Sequence, residues 1–354
     1  MPQAVAQRPR ISGIGTANPK STYTQAELLD RYRMTDPRIA SIFENSHIDQ
    51  RHLLLPDLDE HGRPVDESQG QLLVKHRSHG IEMASQALLR CLEDAGAEID
   101  DIDYLCCVTS TGFLTPGFSA LLINELGIPR DCHRSDVVGM GCNAGLNGLN
   151  TVASWAQSNP GRLAIMICVE VCSAAYVFDG TMRTAVVNSL FGDGAAAVAL
   201  RADPRAGRGP AVLKFASRLI PEAMQAMRYD WDDDHNKFSF YVDRDVPYVV
   251  GAHAEEVLAS LLEGTGVRRS DVSQWIVHSG GKKVIDSVRV NLGLTAHDLR
   301  HTVSVLRNYG NLSSGSFLFS YRQLVEEGRV SPGDHGVFMT MGPGSTIEMA
   351  LLRW

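Results

Sequence analysis

One unit of this chain is written twice. The segment ASQALLRCLEDAG from Ala84 lies over AEEVLASLLEGTG from Ala254, and DIDYLCCV from Asp101 lies over DVSQWIVH from Asp271, without a gap at a spacing of 170 residues. Each copy reads as a helix, a polar connection and a strand. In the first, Ile81, Met83, Ala84, Ala87, Leu88, Cys91 and Leu92 recur at helical spacing up to Gly96, a residue suited to a left-handed cap. The continuous apolar run Tyr104 to Val108 follows, as expected of a strand buried on both faces. A second echo joins GDGAAAVALR from Gly192 to GPGSTIEMALLR from Gly342, each a Gly-x-Gly turn leading into a strand, at a shortened spacing of 150 residues. The shortening implies an insertion of about twenty residues in the first half. A chain built this way predicts an α/β protein of two duplicated halves with largely parallel sheets. The halves divide as 1–205 and 206–354, across the Pro/Gly/Arg seam Ala202 to Pro210. The polar segment Leu55 to Gln71 reads as a surface excursion.

Composition removes several function classes. Acidic residues outnumber basic ones, 41 to 33, for a net charge of −8, and no Lys/Arg block could track a phosphate backbone, so nucleic acid is not expected as a partner. No apolar run reaches the roughly 18 residues of a membrane span, and Met1 to Arg10 is polar and proline-bearing where a signal peptide needs an apolar core. The reading is a cytoplasmic chain with no membrane contact. Seven cysteines, an odd number and without C-x-x-C spacing, argue against both a disulfide framework and structural zinc. No metal or resident cofactor is expected.

One cysteine stands apart. Ser135 to Met140 is mostly extended, Ala144 to Ala156 takes helical spacing, and Cys142 sits in the turn between them within GMGCNAG. Free N–H groups and the positive helix end favour thiolate there, so Cys142 is the candidate nucleophile. His278 ends the second buried strand and precedes Ser279-Gly280-Gly281, leaving the sheet at the kind of strand end where α/β proteins gather their chemistry. Asn311, in the loop YGNLSSG, either caps the following helix or donates its amide to a developing oxyanion.

Five segments together resemble the type III polyketide synthases, the chalcone synthase-like group: GMGCNAGLNGL, LFGDGAAAV, WIVHSGGKKVID, VLRNYGNLSSGSFLF and MGPGSTIE. Order and spacing agree over about residues 10–354. The resemblance implies a thiolase-like five-layered αβαβα fold and a homodimer. It also implies that a CoA thioester acylates Cys142 and that His278 and Asn311 bind the thioester carbonyl. Malonyl-CoA then loses CO₂ to an enolate that attacks the acyl-cysteine, with no cofactor because the CoA thioesters are substrates. Donors preset by His278 and Asn311 would stabilise the enolate oxygen as its charge develops, and an imidazolium at His278 would hold Cys142 as thiolate.

The same resemblance makes Phe191 and Phe240 the gate of the reaction chamber and counts Gly280, Gly281 and Ser313 with the substrate-binding residues. It places Ala175, Ser110, Thr111 and Thr115 along the chamber, Thr115 where plant members carry a methionine that crosses the dimer interface. Of three basic positions expected toward CoA phosphates only Arg38 is kept; Ser41 and Asn45 fall at the others, and Lys283, beside Lys282, is the candidate replacement. Within the family, GCNAGLN, VHSGGKKVID and GNLSSGSFLFSY most resemble the bacterial 3,5-dihydroxyphenylacetyl-CoA synthases. That subgroup implies malonyl-CoA as starter and extender, aldol ring closure, and help from separate dehydratase-like enzymes. The alternatives are a type III polyketide synthase with another starter and an initiating β-ketoacyl-carrier-protein synthase.

Overall fold

The repeated unit folds the same way twice. Gly96 adopts the left-handed conformation, φ 60°, and ends a helix; the three-residue 3-10 turn Ile99–Asp101 leads into the first buried strand. Its counterpart Arg269–Asp271 leads into the second. Asp101 and Asp271 each bond back to the backbone N–H three residues earlier, Glu98 at 3.0 Å and Arg268 at 2.9 Å. The shared polar connection is thus a shared hydrogen-bonded turn.

The computed structural model describes residues 8–203 and 209–354, so the division between 205 and 206 and part of the Ala202 to Pro210 seam lie outside the described residues. In chain order the first half runs β1 (Arg10–Ala17), β2 (Thr22–Thr24), α1 (Gln25–Arg31), α2 (Pro37–Glu44), β3 (Gln50–His52), α3 (Gln69–Ala95), β4 (Ile102–Thr109), α4 (Phe118–Leu126), β5 (His133–Val138), α5 (Ala144–Ser158), β6 (Leu163–Glu170), α6 (Met182–Leu190) and β7 (Gly194–Arg201). The second continues with β8 (Ala211–Leu219), β9 (Met227–Asp232), β10 (Lys237–Val242), α7 (Val246–Leu262), β11 (Val272–Val277), α8 (Lys282–Asn291), α9 (Arg300–Tyr309), α10 (Ser316–Glu327), β12 (His335–Gly342) and β13 (Thr346–Arg353). Helix α3 begins well before the predicted Ile81, with Ser68 and Gln71 forming its capping box.

The duplication is carried in one nine-stranded sheet of order β11-β12-β13-β8-β1-β7-β6-β4-β5, whose first-half segment is β5-β4-β6-β7-β1 and whose second-half segment is β11-β12-β13-β8. They meet through one pair, Arg10 with Ala211. The corresponding neighbours pair in the same sense: β4 with β6 and β11 with β12 parallel, β6 with β7 and β12 with β13 antiparallel. The expectation of largely parallel sheets is therefore corrected to a mixed sheet. A parallel return needs a long crossover, whereas β13 follows β12 through the short turn Pro343–Ser345 and can only run back antiparallel.

Side chains alternate between layers as a two-residue period demands. Leu105 and Cys107 of β4, with Ile165 and Ile167 of β6, pack outward in the cluster that includes Leu88 and Leu92 of α3. Tyr104, Cys106 and Val108 pack inward in a cluster shared by Leu149 of α5, Phe317 of α10 and Phe338 of β12. A third cluster joins the opposite face of β12 and β13 to Val257 and Leu261 of α7. The order is helix, sheet, paired central helices, sheet, helix, a thiolase-like five-layered arrangement. The starts of the central helices α5 and α10 thus converge between the two sheet segments.

Candidate active site

The turn before α5 is made by backbone that only glycine supplies cheaply. Gly139 and Gly141 have φ of 83° and 75°, and a Cβ on Gly141 would sit 2.2 Å from Cδ of Pro343 in the Gly342-Pro343-Gly344 loop. The 3-10 turn Gly141–Asn143 then delivers Cys142 to the start of α5, where it is 6% exposed.

The second half brings its residues to the same place. His278 continues from β11, its N–H donating to Met339 O at 2.8 Å, and its buried Nδ1 has no partner among the described residues. Asn311 is fixed through its backbone: its N–H donates to Leu190 O and its carbonyl accepts from Gly192 N–H, both at 2.9 Å. Its Oδ1 accepts from Ser313 N–H at 2.8 Å, which orients the amide, and the Asn311 side chain acts on the Cys142 thiol. Asn311 does not cap α10, whose N-cap is Gly315 without a side-chain bond; its amide oxygen is used within its own turn. Ser313, held at φ 48°, places its Oγ 3.5 Å from Cys142 Sγ.

Two cavities flank these groups. One of about 530 Å³ is lined by His278, Asn311, Gly280, Gly281, Lys282 and Lys283, and by Ser41 and Asn45 of α2 and its cap. The other, about 350 Å³, is lined by Ser110, Thr111, Ala175, Tyr176, Tyr229 and Ser313. Cys142, Phe191, Met227 and Phe240 line both. The Phe191 and Phe240 rings meet edge to face, centroids 5.7 Å apart at 80°. The candidate nucleophile thus lines both cavities beside a pair of aromatic rings.

Electrostatics corrects one expectation. The helix start and its N–H groups do not leave Cys142 as thiolate: burial pushes the thiol up to about 12, outweighing the lowering by Ser313, its own backbone and Asn311. Burial also pushes His278 down to about 3, so no imidazolium stands beside the resting cysteine. The pair rests neutral.

Matches to family models decide the identity: the N-terminal domain of chalcone and stilbene synthases over residues 2–204, and the C-terminal domain over 213–354. The chain belongs to the chalcone and stilbene synthase family. It is 63% identical to the 3,5-dihydroxyphenylacetyl-CoA synthase of Streptomyces toyocaensis, covering 98% of this chain and 90% of that one. It is 62% identical to the enzyme of the same name from Amycolatopsis balhimycina, covering 98% and 93%. Among solved structures, the 1,3,6,8-tetrahydroxynaphthalene synthase of Streptomyces coelicolor, a bacterial type III polyketide synthase, superposes with a TM-score of 0.87 at 27% identity, covering 98% and 99% of the two chains.

Within this family member, two singled-out residues lie elsewhere. Arg38 lines neither cavity; its exposed guanidinium is held by Asp36 at 2.7 Å. Thr115 also lies outside both, at the surface and two residues from Phe113, which is 72% exposed. The cations that do reach the larger cavity are Lys282, paired with Asp286, Lys283, and Arg244, which sequence reading missed and which carries no motif to betray it. Lys283 is exposed and starts α8 without a side-chain cap on Gly281, so backbone N–H groups point out beside it.

Glu170 was also missed, although an acid closing the apolar run LAIMICVE is a readable signal. Fully buried, it accepts from Ser110 N–H at 3.0 Å and from the Ser314 hydroxyl, and burial holds its carboxyl up at about 7.

Proposed function

We propose that this protein is a type III polyketide synthase that builds 3,5-dihydroxyphenylacetyl-CoA from malonyl-CoA alone. The observation that carries the reading is the shared wall: Cys142, Phe191 and Phe240 line both a larger donor-lined cavity and a smaller chamber beside it. Such a wall suits a thioester arriving through the first and a growing chain stored in the second.

In this reading Cys142 attacks the carbonyl of the CoA thioester as its proton passes to His278, and CoA leaves. Both groups start neutral, so charge separates only once the carbonyl fills the site. Malonyl-CoA follows: its C–CO₂ bond breaks, and the electron pair forms an enolate whose oxygen accepts from Asn311 Nδ2 and the His278 imidazolium. Donors fixed beforehand act more strongly on that developing charge than on the neutral thioester. The enolate carbon then attacks the acyl-cysteine; a C–C bond forms, the C–S bond breaks, and the lengthened chain is again a CoA thioester. The starter malonyl group loses its own carboxyl as CO₂ in the same way, its carbanion taking up a proton to leave a terminal methyl, and three extensions give an eight-carbon tetraketide. Its terminal methyl carbon attacks the ketone at the third carbon, water is lost, and the ring aromatises with the thioester intact.

Lys283, Arg244 and the α8 N-terminus would receive the CoA phosphates in place of the basic residues absent at Ser41 and Asn45. No resident cofactor is required. No helix among the described residues is long and apolar enough to cross a membrane, and we place the enzyme in the cytoplasm as a homodimer, with Phe113 and Thr115 toward the partner. Dehydratase-like enzymes would assist ring aromatisation.

The test is incubation with malonyl-CoA alone, with mass spectrometry of small products and of the intact chain, beside Cys142→Ala. An aromatic CoA thioester or the free dihydroxyphenylacetic acid, lost in the variant, is expected. A chain acylated only by some other CoA thioester would overturn the malonyl starter.

A further inference from the structure

Arg51, on the short strand β3, is fully buried, yet the mechanism above gives it no part. Burying a guanidinium is costly unless its hydrogens are used. Here Nη1 donates to Phe191 O at 2.7 Å and to Tyr176 Oη at 2.9 Å, and Nη2 donates to Gln25 Oε1 at 2.8 Å. The Tyr176 hydroxyl donates to the same Phe191 carbonyl. Phe191 forms a parallel bridge with Asn311, closed by the bonds on Leu190 O and Gly192 N–H already described. The stem of Arg51 lies under the other end of that bridge, where a Cβ on Gly310 would come within 2.8 Å of Arg51 Cδ.

The neighbouring residues tighten the same segment. Asp193 N–H donates to His52 O at 2.9 Å, and its buried carboxylate accepts from Leu54 N–H and Ser173 N–H, both at 2.8 Å. That carboxylate also supplies negative charge near the Arg51 guanidinium. One cation therefore ties an N-terminal strand to a gate phenylalanine and, through it, to a donor from the other half of the chain.

We propose that Arg51 is a positioning residue for the condensation, fixing the Phe191 carbonyl and thereby the Asn311 amide in the cavity that Cys142 lines. The inference rests on the roles of Phe191 and Asn311 proposed above. Lysine cannot replace it fully, because a point charge does not reproduce the planar fork that spans Phe191, Tyr176 and Gln25.

The test uses the full chain with malonyl-CoA, following CO₂ release per Cys142 titrated by alkylation, which counts folded sites. Arg51→Met should lower kcat for CO₂ release roughly tenfold with KM within about twofold, since a small displacement of a preset donor costs rate rather than binding. Arg51→Lys should recover part of the loss, and Gln25→Met, which loosens the fork from outside both cavities, should show a smaller one. If Arg51→Met does not fold, the other two variants decide. A wild-type kcat per titrated site in the folded variants, with only a lowered Tm, overturns the proposal and leaves Arg51 structural. Asn311→Ala separates the two failures: if it too keeps wild-type kcat, the role of Asn311 falls and this inference with it; if it loses activity while the Arg51 and Gln25 variants do not, only the inference falls.

Discussion

The Cys142 sulfur lies 3.5 Å from the Ser313 hydroxyl, and Ser313 holds that place with a left-handed backbone, φ 48°. A non-glycine residue in that region is strained, and strain of this kind gathers at functional sites. The hydroxyl is among the groups that pull the thiol down against burial. Ser313→Ala keeps the backbone conformation and removes the donor. Alkylation of Cys142 by iodoacetamide between pH 8 and 10 should slow about fivefold, as loss of about 1 kcal/mol from one hydrogen bond implies. An unchanged rate would mean that Ser313 does not act on the sulfur.

Glu170 acts on the same sulfur with the opposite sign. Its carboxyl is held up at about 7 by burial, and its negative charge raises the Cys142 thiol. Above pH 7 the wild-type carboxylate therefore opposes thiolate formation, and Glu170→Gln removes that opposition. Alkylation of Cys142 should be faster in the variant above pH 7 and alike in the two proteins below about pH 6. The pH dependence of the rate ratio measures this directly.

Ala175 lines the 350 Å³ chamber, and threonine there takes up room the chain needs. Ala175→Thr should shift products from the tetraketide-derived ring toward shorter pyrones, with malonyl-CoA KM within about twofold because the donor-lined cavity is untouched. Product profiles by liquid chromatography and mass spectrometry decide it.

Lys283 and Arg244 face the larger cavity, both with open access to solvent. Charge reversal, Lys283→Glu with Arg244→Glu, should raise malonyl-CoA KM roughly tenfold, and added salt should narrow the difference by screening. Malonyl-pantetheine, which lacks the nucleotide phosphates, should show no such gap. Equal KM for malonyl-CoA in both proteins would remove these cations from CoA binding.

Buried histidines set an acid limit on stability. His76 is fully buried, its Nε2 without a partner among the described residues, and burial pushes it down to about 4; His278 goes to about 3. In the unfolded chain both take up protons below about pH 6.5, while in the folded chain they stay neutral, so stability is full above that pH and falls as pH drops toward 4. For His76 the loss approaches about 3 kcal/mol at pH 4. His76→Gln, judged by Tm across pH 4 to 7, should flatten that slope.

Much of the site was legible because its chemistry sits at punctuation. Cys142 lies at a glycine elbow, His278 at a strand end and Asn311 at a helix-opening loop, and all three reach the larger cavity. Arg38 and Thr115 show where position along a motif stops short: Arg38 is turned onto Asp36, and Thr115 lies on the surface outside both cavities. Arg51 and Arg244 could not be found at all, since neither belongs to a pattern, and only the folded chain brings them to Phe191 and to the cavity mouth.

The sequence by itself determined the layered α/β architecture, because the helix, turn and strand periods are local and occur twice. It also determined the elbow that holds the candidate nucleophile Cys142, because glycine spacing dictates backbone that few other residues adopt. Tertiary structure decided the sense of strand pairing, through the short return from β12 to β13. It also decided the protonation of the site. A helix end pulls a thiol toward thiolate from within one turn, but desolvation depends on everything packed around the sulfur, and around Cys142 and His278 that packing outweighs the local pull.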